Sequence, residues 1–317
     1  MLKVTFKYFS RFKDFFLNYK TVFVKYIINK IFFIENKKIK CFLKNGELQS
    51  WNNFQIYNYL DITKCFEQNL YLTIPDISKS INYIWTDYYI NFYYRGRKVI
   101  LHHPRMNFDW VHVFKSYYSM LDVKDKIVID IGGYIGDSAI YFALIGAKKV
   151  ISIEPFTVGY KYELENVELN GLGKIIEPLK LIYKGMDGYQ YFDDPETKDF
   201  LGRDVVNGDG SEKRTISLQK LVSDYNITGG ILKMTCEGCE QNILCESKDI
   251  FMHFDEIILR YYYGYETLKK LLENENFAVT YTKPEKRKIK NNSKPQQLYG
   301  ILYAKRDHEN REHIVYK

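Results

Sequence analysis

Glu154, Glu237 and Glu240 stand just beyond two short apolar runs, Val150 to Ile153 and Gly230 to Met234. Acids carried past the carboxyl ends of buried strands lie where open α/β sheets bind their ligands. Two kinds of work suit them there: accepting hydrogen bonds from a ribose diol, and taking the proton of a reacting hydroxyl. The first needs a glycine-bearing turn about twenty residues upstream of the acid. Asp130-Ile131-Gly132-Gly133-Tyr134-Ile135-Gly136 supplies one ahead of Glu154. Lys233, on the second run, is a cation that could orient the acids at 237 and 240 or offset their charge.

The elements that must position these residues are readable around them. Ile127 to Ile131 is an almost unbroken apolar run, as expected of a parallel strand buried on both faces. From Asp137 the period becomes helical, with Ile140, Tyr141, Leu144 and Ile145 on one face and Gly146 as the stop. Val150 to Ile153 then forms a second strand ending in Glu154-Pro155-Phe156. Strand, glycine turn, helix, strand and acid make a nucleotide-type βαβ unit rather than a purely structural one. A nicotinamide site would want a glycine where Tyr134 stands, so the dinucleotide fingerprint fails.

Composition bounds the rest. A chain of 317 residues with a hydrophobic fraction of 46% can build one large domain and a smaller one. Five cysteines, unevenly spread, fit a reduced compartment better than a disulfide framework. The net charge of +7 is concentrated in residues 1–40, so the basicity belongs to one end. Residues 2–28 read as a basic amphipathic helix or helix pair, with Leu2, Phe6, Phe9, Phe12, Phe16, Tyr19, Phe23 and Ile27 on one face. Lysines interrupt it too often for a membrane span. It is either packed on its own domain, the favoured reading, or a peripheral anchor (residues 1–30) on an anionic membrane. No signal peptide is evident, so the expected location is cytoplasmic, with peripheral contact at the inner membrane face as the variant.

Lys40 to Trp51 reads as a hairpin about Asn45-Gly46, and Tyr89–Tyr94 with Lys98–His102 as a strand pair about Arg95-Gly96-Arg97. Phe108 to Leu121 reads as a helix. Residues 1–120 are therefore an N-terminal α+β appendage, and residues 121–317 the main domain. After Glu154 strands and helices alternate as in a doubly wound sheet. The expected strands are within Lys174–Tyr183 and at Gly230–Met234, Asp255–Tyr262, Phe277–Thr282 and Leu298–Lys305. The expected helices are Tyr160–Leu169, Thr215–Tyr225 entered through Ser217, Glu237–Ser247 and Tyr265–Asn274. Residues 186–214 are a polar insertion, and Lys283 to Pro295 a basic solvated loop. Seven strands result, the last two joined without a helix and therefore antiparallel.

With Lys233-Met234-Thr235-Cys236-Glu237-Gly238-Cys239-Glu240, the chain resembles the FkbM family of class I S-adenosyl-L-methionine (SAM)-dependent methyltransferases. The family pattern is Asp-Ile-Gly-Ala-Asn-x-Gly, a Glu-Pro at strand two, and Lys-x-Asp-x-Glu-Gly-x-Glu at strand four. Residues 130–136, 154–155 and 233–240 match it in order and spacing. Tyr134 replaces the family's asparagine, Thr235 its aspartate, and Arg260-Tyr261-Tyr262 stands where many members have an acid and a histidine.

The resemblance implies a doubly wound, seven-stranded Rossmann-like fold and methyl transfer from SAM to a hydroxyl of a sugar, glycan or small metabolite. It places Asp130, Gly132, Gly133, Tyr134, Gly136, Asp137 and Thr235 around the cofactor. Glu154 would sit at its ribose, and Pro155 and Phe156 at its adenine. Glu237 is the first choice for the base and Glu240 the second, with Lys233 beside them. The other reading is a degenerate SAM-binding protein, membrane-associated through its first helix. A nucleic-acid substrate is not expected, because the basic residues cluster at the ends and the Asn/Asp-Pro-Pro-Tyr motif is absent. No metal site is expected, since Cys236-x-x-Cys239 lacks further ligands and reads as packing. His102, His103 and His112 precede the first sheet strand and are candidates for the acceptor side. The sequons at Asn226 and Asn291 are discounted without a secretion signal.

Overall fold

The computed structural model describes residues 16–31, 37–42, 48–51, 84–86, 89–102, 118–192, 211–287 and 297–306, with isolated positions elsewhere. The chain divides into two compact units, Met1–Lys79 and Ser80–Lys317.

In the first unit, helix α1 (Tyr19–Ile31) accompanies an antiparallel pair, β1 (Ile39–Phe42) and β2 (Leu48–Trp51). The turn residues Asn45 and Gly46 lie outside the described residues, as do residues 1–11 of the expected helix. Asn18 ties helix to hairpin: its side chain donates to the Lys40 carbonyl and accepts from the Phe42 amide. Phe12, Phe16 and Val22 are fully buried, whereas Leu17, Val24 and Ile28 are exposed. No helix among the described residues is long and apolar enough to cross a membrane.

The second unit opens with an antiparallel sheet of β3 (Ile84–Thr86), β4 (Tyr89–Tyr94) and β5 (Arg97–His102). Arg95 and Gly96 both have positive φ, the requirement of a tight two-residue hairpin turn. This sheet belongs to the second compact unit, which begins at Ser80. Most of the helix expected over Phe108–Leu121 lies outside the described residues, as do His103 and His112.

The remaining strands are β6 (Ile127–Ile131), β7 (Lys149–Ile153), β8 (Ile176–Leu179), β9 (Ile182–Tyr183), β10 (Gly188–Phe192), β11 (Ser211–Ile216), β12 (Gly230–Met234), β13 (Phe254–Tyr261), β14 (Phe277–Tyr281), β15 (Glu285–Arg287) and β16 (Gln297–Arg306), most of them in the principal sheet. Seven of these lie in the order β14-β16-β13-β12-β6-β7-β8, and β15 pairs with β16. β8, β7, β6, β12 and β13 are mutually parallel, while β16 is antiparallel to both β13 and β14. Its interior is aliphatic, with Ile129, Ile131, Ile151, Leu232, Met234, Ile257 and Leu259 almost fully buried.

Helices α2 (Asp137–Leu144), α3 (Thr157–Leu169), α4 (Leu218–Tyr225) and α5 (Glu266–Asn274) follow β6, β7, β11 and β13. Ser217 caps α4 by accepting from the Lys220 amide.

Two expectations are corrected. The segment after β12 is not an α-helix from Glu237: a 3-10 helix over Cys239–Cys245 is followed by another over Lys248–His253. Tertiary hydrogen bonds replace a regular helical ladder there: Asn242 donates to the Tyr183 carbonyl, and Glu246 accepts from the Leu218 amide. Residues 174–183 hold two strands, because β9 leaves the main sheet to pair with β11. The polar insertion supplies β10 and β11, which complete a separate three-stranded sheet; residues 195–210 lie outside the described residues.

Candidate active site

The chain runs from β6 through β7 to β8 on one side, then returns to place β12 on the other side of β6. Such a reversal leaves a crevice beyond the strand ends, between β6 and β12. The glycine turn sits there. Gly132 has φ +83, and a Cβ on it would fall 2.3 Å from the Thr235 carbonyl oxygen and 3.3 Å from Cys236 Cα. Only a glycine lets the first strand's turn approach the end of the fourth so closely. The Gly132 and Gly133 amides donate to the Ile153 carbonyl, which binds the same turn to β7.

Glu154 is where the sequence puts it, at the tip of β7, and is only 4% exposed. Its Oε2 accepts from the Tyr134 amide at 2.8 Å and its Oε1 from the Phe156 amide at 2.9 Å. One carboxylate thus clamps the glycine turn to the start of α3. Burial pushes its carboxyl up to about 7, against the pull of those two amides and of Lys233 and Lys213. Because that value exceeds the unfolded one, this group's contribution to stability is complete in acid and is lost as pH rises through about 7.

Beside Glu154, Phe156 packs on Phe192 of β10 with ring centroids 5.0 Å apart. Lys213 of β11 donates to the Pro155 carbonyl at 2.6 Å and pairs with Asp194 at 2.5 Å. Asp194 in turn accepts from the Thr157 amide at the start of α3. Burial alone would raise the Asp194 carboxyl, but hydrogen bonds from Lys213 and Thr157 hold it below its ordinary value. The insertion therefore folds back onto the tip of the second strand. Nothing in its polar composition marks Lys213 or Asp194 in advance.

Asp130 and Lys233 are in register on adjacent strands. Lys233 Nζ lies 2.5 Å from Asp130 Oδ1 and donates to the Gly132 carbonyl at 2.9 Å, while Ser138 Oγ donates to Asp130 Oδ2 at 2.6 Å. Both partners are buried, at 0% and 2% exposure. Two expectations change as a result. Asp130 is not a ligand-facing acid, and Lys233 neutralises it and fixes the turn rather than serving Glu237 and Glu240.

Glu240 is also corrected. It is fully buried, and its oxygens accept from the Gly238 amide at 2.8 Å and the Tyr262 amide at 3.0 Å. Burial raises its carboxyl, with those amides pulling the other way. It holds the loop after β12 to the end of β13 and has no open side for an acceptor. Glu237 differs: it is exposed and has φ +51, at the crest of that loop.

The bland reading of Cys236 and Cys239 is overturned, because the two are joined by a disulfide with Cα atoms 5.4 Å apart. Thr235 donates its amide to the Ile131 carbonyl, and its hydroxyl lies 3.4 Å from that of Tyr118. Asp137 opens α2 and is buried, accepting from the Ser138 amide. The Arg260 guanidinium lies over the rings of Tyr262 and Tyr299. His102 is held by Glu165 of α3, Nδ1 to Oε2 at 2.8 Å, which gives it a packing role.

One buried acid escaped the sequence reading. A Cβ on Gly133 would meet the Glu163 carboxylate oxygens at 2.8 and 3.0 Å, and one on Gly136 would meet Glu163 Cγ at 3.0 Å. Glu163 lies beneath the turn, and burial holds its carboxyl well above the usual range. Its place on a helix with no other sign of function gave no signal.

Six parallel strands with one antiparallel strand inserted next to the edge, and a glycine turn facing an acid at the tip of the second strand, define the class I methyltransferase fold. No family model matches the chain. A curated relative, uncharacterized protein 158B of Sulfolobus islandicus rod-shaped virus 1, is 34% identical over 130 residues, covering 41% of this chain and 58% of that protein. The match thus spans less than two thirds of the relative. Among solved structures, TYW2 of M. jannaschii in complex with AdoMet is 16% identical at a TM-score of 0.37, over 70% of this chain and 87% of that one. TrmK of M. capricolum in complex with S-adenosyl-homocysteine is 14% identical at 0.37, over 64% and 71%. A ribosomal protein L11 methylase of Lactobacillus delbrueckii is 14% identical at 0.36, over 64% and 81%. The fold is defined by the strand order itself.

Proposed function

We propose that the chain is a SAM-dependent methyltransferase that methylates a hydroxyl of a sugar or another small metabolite. The observation that carries the reading is Glu154, a buried carboxylate held between the amides of Tyr134 and Phe156 at the switch point of the sheet. Among the described residues no cation touches it directly, so it suits a partner that brings neutral donors, as a ribose diol does. The close approach of Gly132 to Thr235 also fits a ligand laid over backbone rather than side chains.

When bound, SAM supplies a methyl group on a sulfonium that leaves as a neutral thioether. Glu154 would accept the diol, Phe156 with Phe192 would flank the adenine, and the backbone from Gly132 to Gly136 would line the methionine portion. Asp130 and Lys233 would act from beneath by fixing that turn. Glu237 would receive the acceptor's hydroxyl proton as the oxygen attacks in line. The acceptor class is supported by the FkbM resemblance of residues 130–136, 154–155 and 233–240. The free, exposed position of Glu237 favours a working enzyme over a degenerate binder.

Calorimetry tests this reading. Glu154→Ala should abolish SAM binding. In the wild type the diol stabilises the ionised carboxylate, so affinity should fall as pH drops below about 7, by up to tenfold per pH unit. Normal binding by Glu154→Ala, or pH-independent affinity from 5.5 to 7 (about the span where burial has moved the group), would refute the pose.

A second reading concerns location. The exposed side of α1 carries Val24 and Ile28 together with Lys20 and Lys25, and the exposed Leu17 stands just ahead of it. That mixture supports peripheral contact with an anionic membrane. Co-sedimentation with phosphatidylglycerol vesicles should be lost on Val24→Asp, and equal binding to neutral vesicles would count against it.

A further inference from the structure

We infer that Cys236 and Cys239 form a redox latch on the loop that carries Glu237, closed as a disulfide and opened by dithiol reductants. For its effect on methyl transfer the inference rests on the role proposed for Glu237; the latch itself does not.

The bond spans Glu237 and Gly238, whose φ values are +51 and +124. A non-glycine residue stays in the left-handed region when its surroundings impose it. Across the same turn the Cys239 amide reaches the Cys236 carbonyl only at 3.5 Å, a long contact that leaves the covalent link as the main constraint. Downstream, the loop is anchored by other means, because Glu240 takes the Gly238 and Tyr262 amides. Upstream, Thr235 is tied by its amide to Ile131. The stretch that depends on the disulfide is therefore Cys236-Glu237, the part beside the glycine turn. Both cysteines are half-buried, within reach of a small thiol.

Opening is a thiol–disulfide exchange. A thiolate of the reductant attacks one sulfur and breaks the S–S bond. Its second thiol then displaces the mixed disulfide and leaves as a cyclic disulfide. Two electrons and two protons pass to the protein, leaving thiols at 236 and 239. Glu237 then loses its fixed position, and transfer slows while the cofactor cradle of β6 and β7 stays intact.

The test uses the full chain purified without reductant. Alkylation and peptide mapping should find Cys236 linked to Cys239 and Cys245 alkylated. Dithiothreitol should speed amide exchange at Glu237 and Cys239 by about tenfold or more, leaving Ile231 to Met234 protected. It should also slow transfer by about ten- to a hundredfold. A Cys236→Ser/Cys239→Ser variant should match the reduced protein and ignore dithiothreitol. Alkylation of both thiols in the untreated protein, unchanged exchange on reduction, or unchanged transfer despite faster exchange would each overturn the latch. SAM titration in both redox states is read separately: absence of binding in the oxidised protein defeats the proposed function and leaves the exchange result standing.

Discussion

Glu237→Gln is expected to bind SAM with unchanged affinity and to transfer methyl about 10²–10⁴-fold more slowly, the range a positioned general base contributes. The amide keeps the size of the side chain and removes its capacity to take a proton. Glu237 is suited to this because it is exposed at the crest of the loop after β12, while the neighbouring Glu240 has both oxygens occupied by backbone amides. The two acids therefore separate experimentally. Glu240→Gln should lower thermal stability, since one oxygen that accepts an amide becomes a donor facing it. Steady-state rates and SAM titrations on Glu237→Gln decide the matter. Wild-type turnover would remove this residue from the mechanism.

The second large effect is expected at Lys233→Met. The substitution keeps the bulk of a nearly inaccessible side chain but leaves Asp130 ionised, at 0% exposure, without its cation. Breaking a buried pair on one side costs about 3–5 kcal/mol. The Gly132 carbonyl loses its donor as well, so the glycine turn should loosen. Asp130→Asn added to Lys233→Met should restore most of the stability, because it removes the stranded charge and can still accept from Ser138. Thermal midpoints of the two variants give the answer. A single variant as stable as the wild type would mean that the pair contributes nothing.

Much of the fold was legible because local and global signals agree. The change from a period of two or none at Ile127–Ile131 to a helical one at Asp137, and back again at Val150, marks the βαβ unit without ambiguity. Ser217 announces α4 by the same hydrogen bond it makes in the structure. No helical period separates Phe277–Thr282 from Leu298–Lys305 in the sequence, which argues against a parallel crossover, and β14 and β16 are antiparallel, with β15 between them in the chain. The place of Glu154 at the tip of β7 was legible from its distance along the chain.

Roles that depend on register across the sheet were hidden. Asp130 and Lys233 meet because β6 and β12, far apart in sequence, align Asp130 with Lys233. Two adjacent acids, Glu237 and Glu240, look alike in the sequence and differ only in which finds backbone amides. The cysteine spacing admitted packing or metal readings; the Cα separation is within the range a disulfide can bridge, and the two are joined covalently instead. Lys213 and Asp194 come from an insertion with no period at all, and it is tertiary folding that brings them to Pro155.

Asn166 of α3 and Asn170, which caps its C-terminus, treat β5 as a neighbouring strand would. Asn170 both accepts from the Ile100 amide and donates to its carbonyl, and Asn166 does the same for His102 while also reaching the Ile135 carbonyl in the glycine turn. The small sheet thus braces the very loop it precedes by some thirty residues, roughly the length of a βαβ crossover with its helix. A polypeptide trimmed to begin at residue 121 would strand both amides and strip one prop from the glycine turn. The smallest portable piece that keeps this brace accordingly starts ahead of β3, and a graft of the seven-stranded sheet alone would carry an unbraced glycine turn.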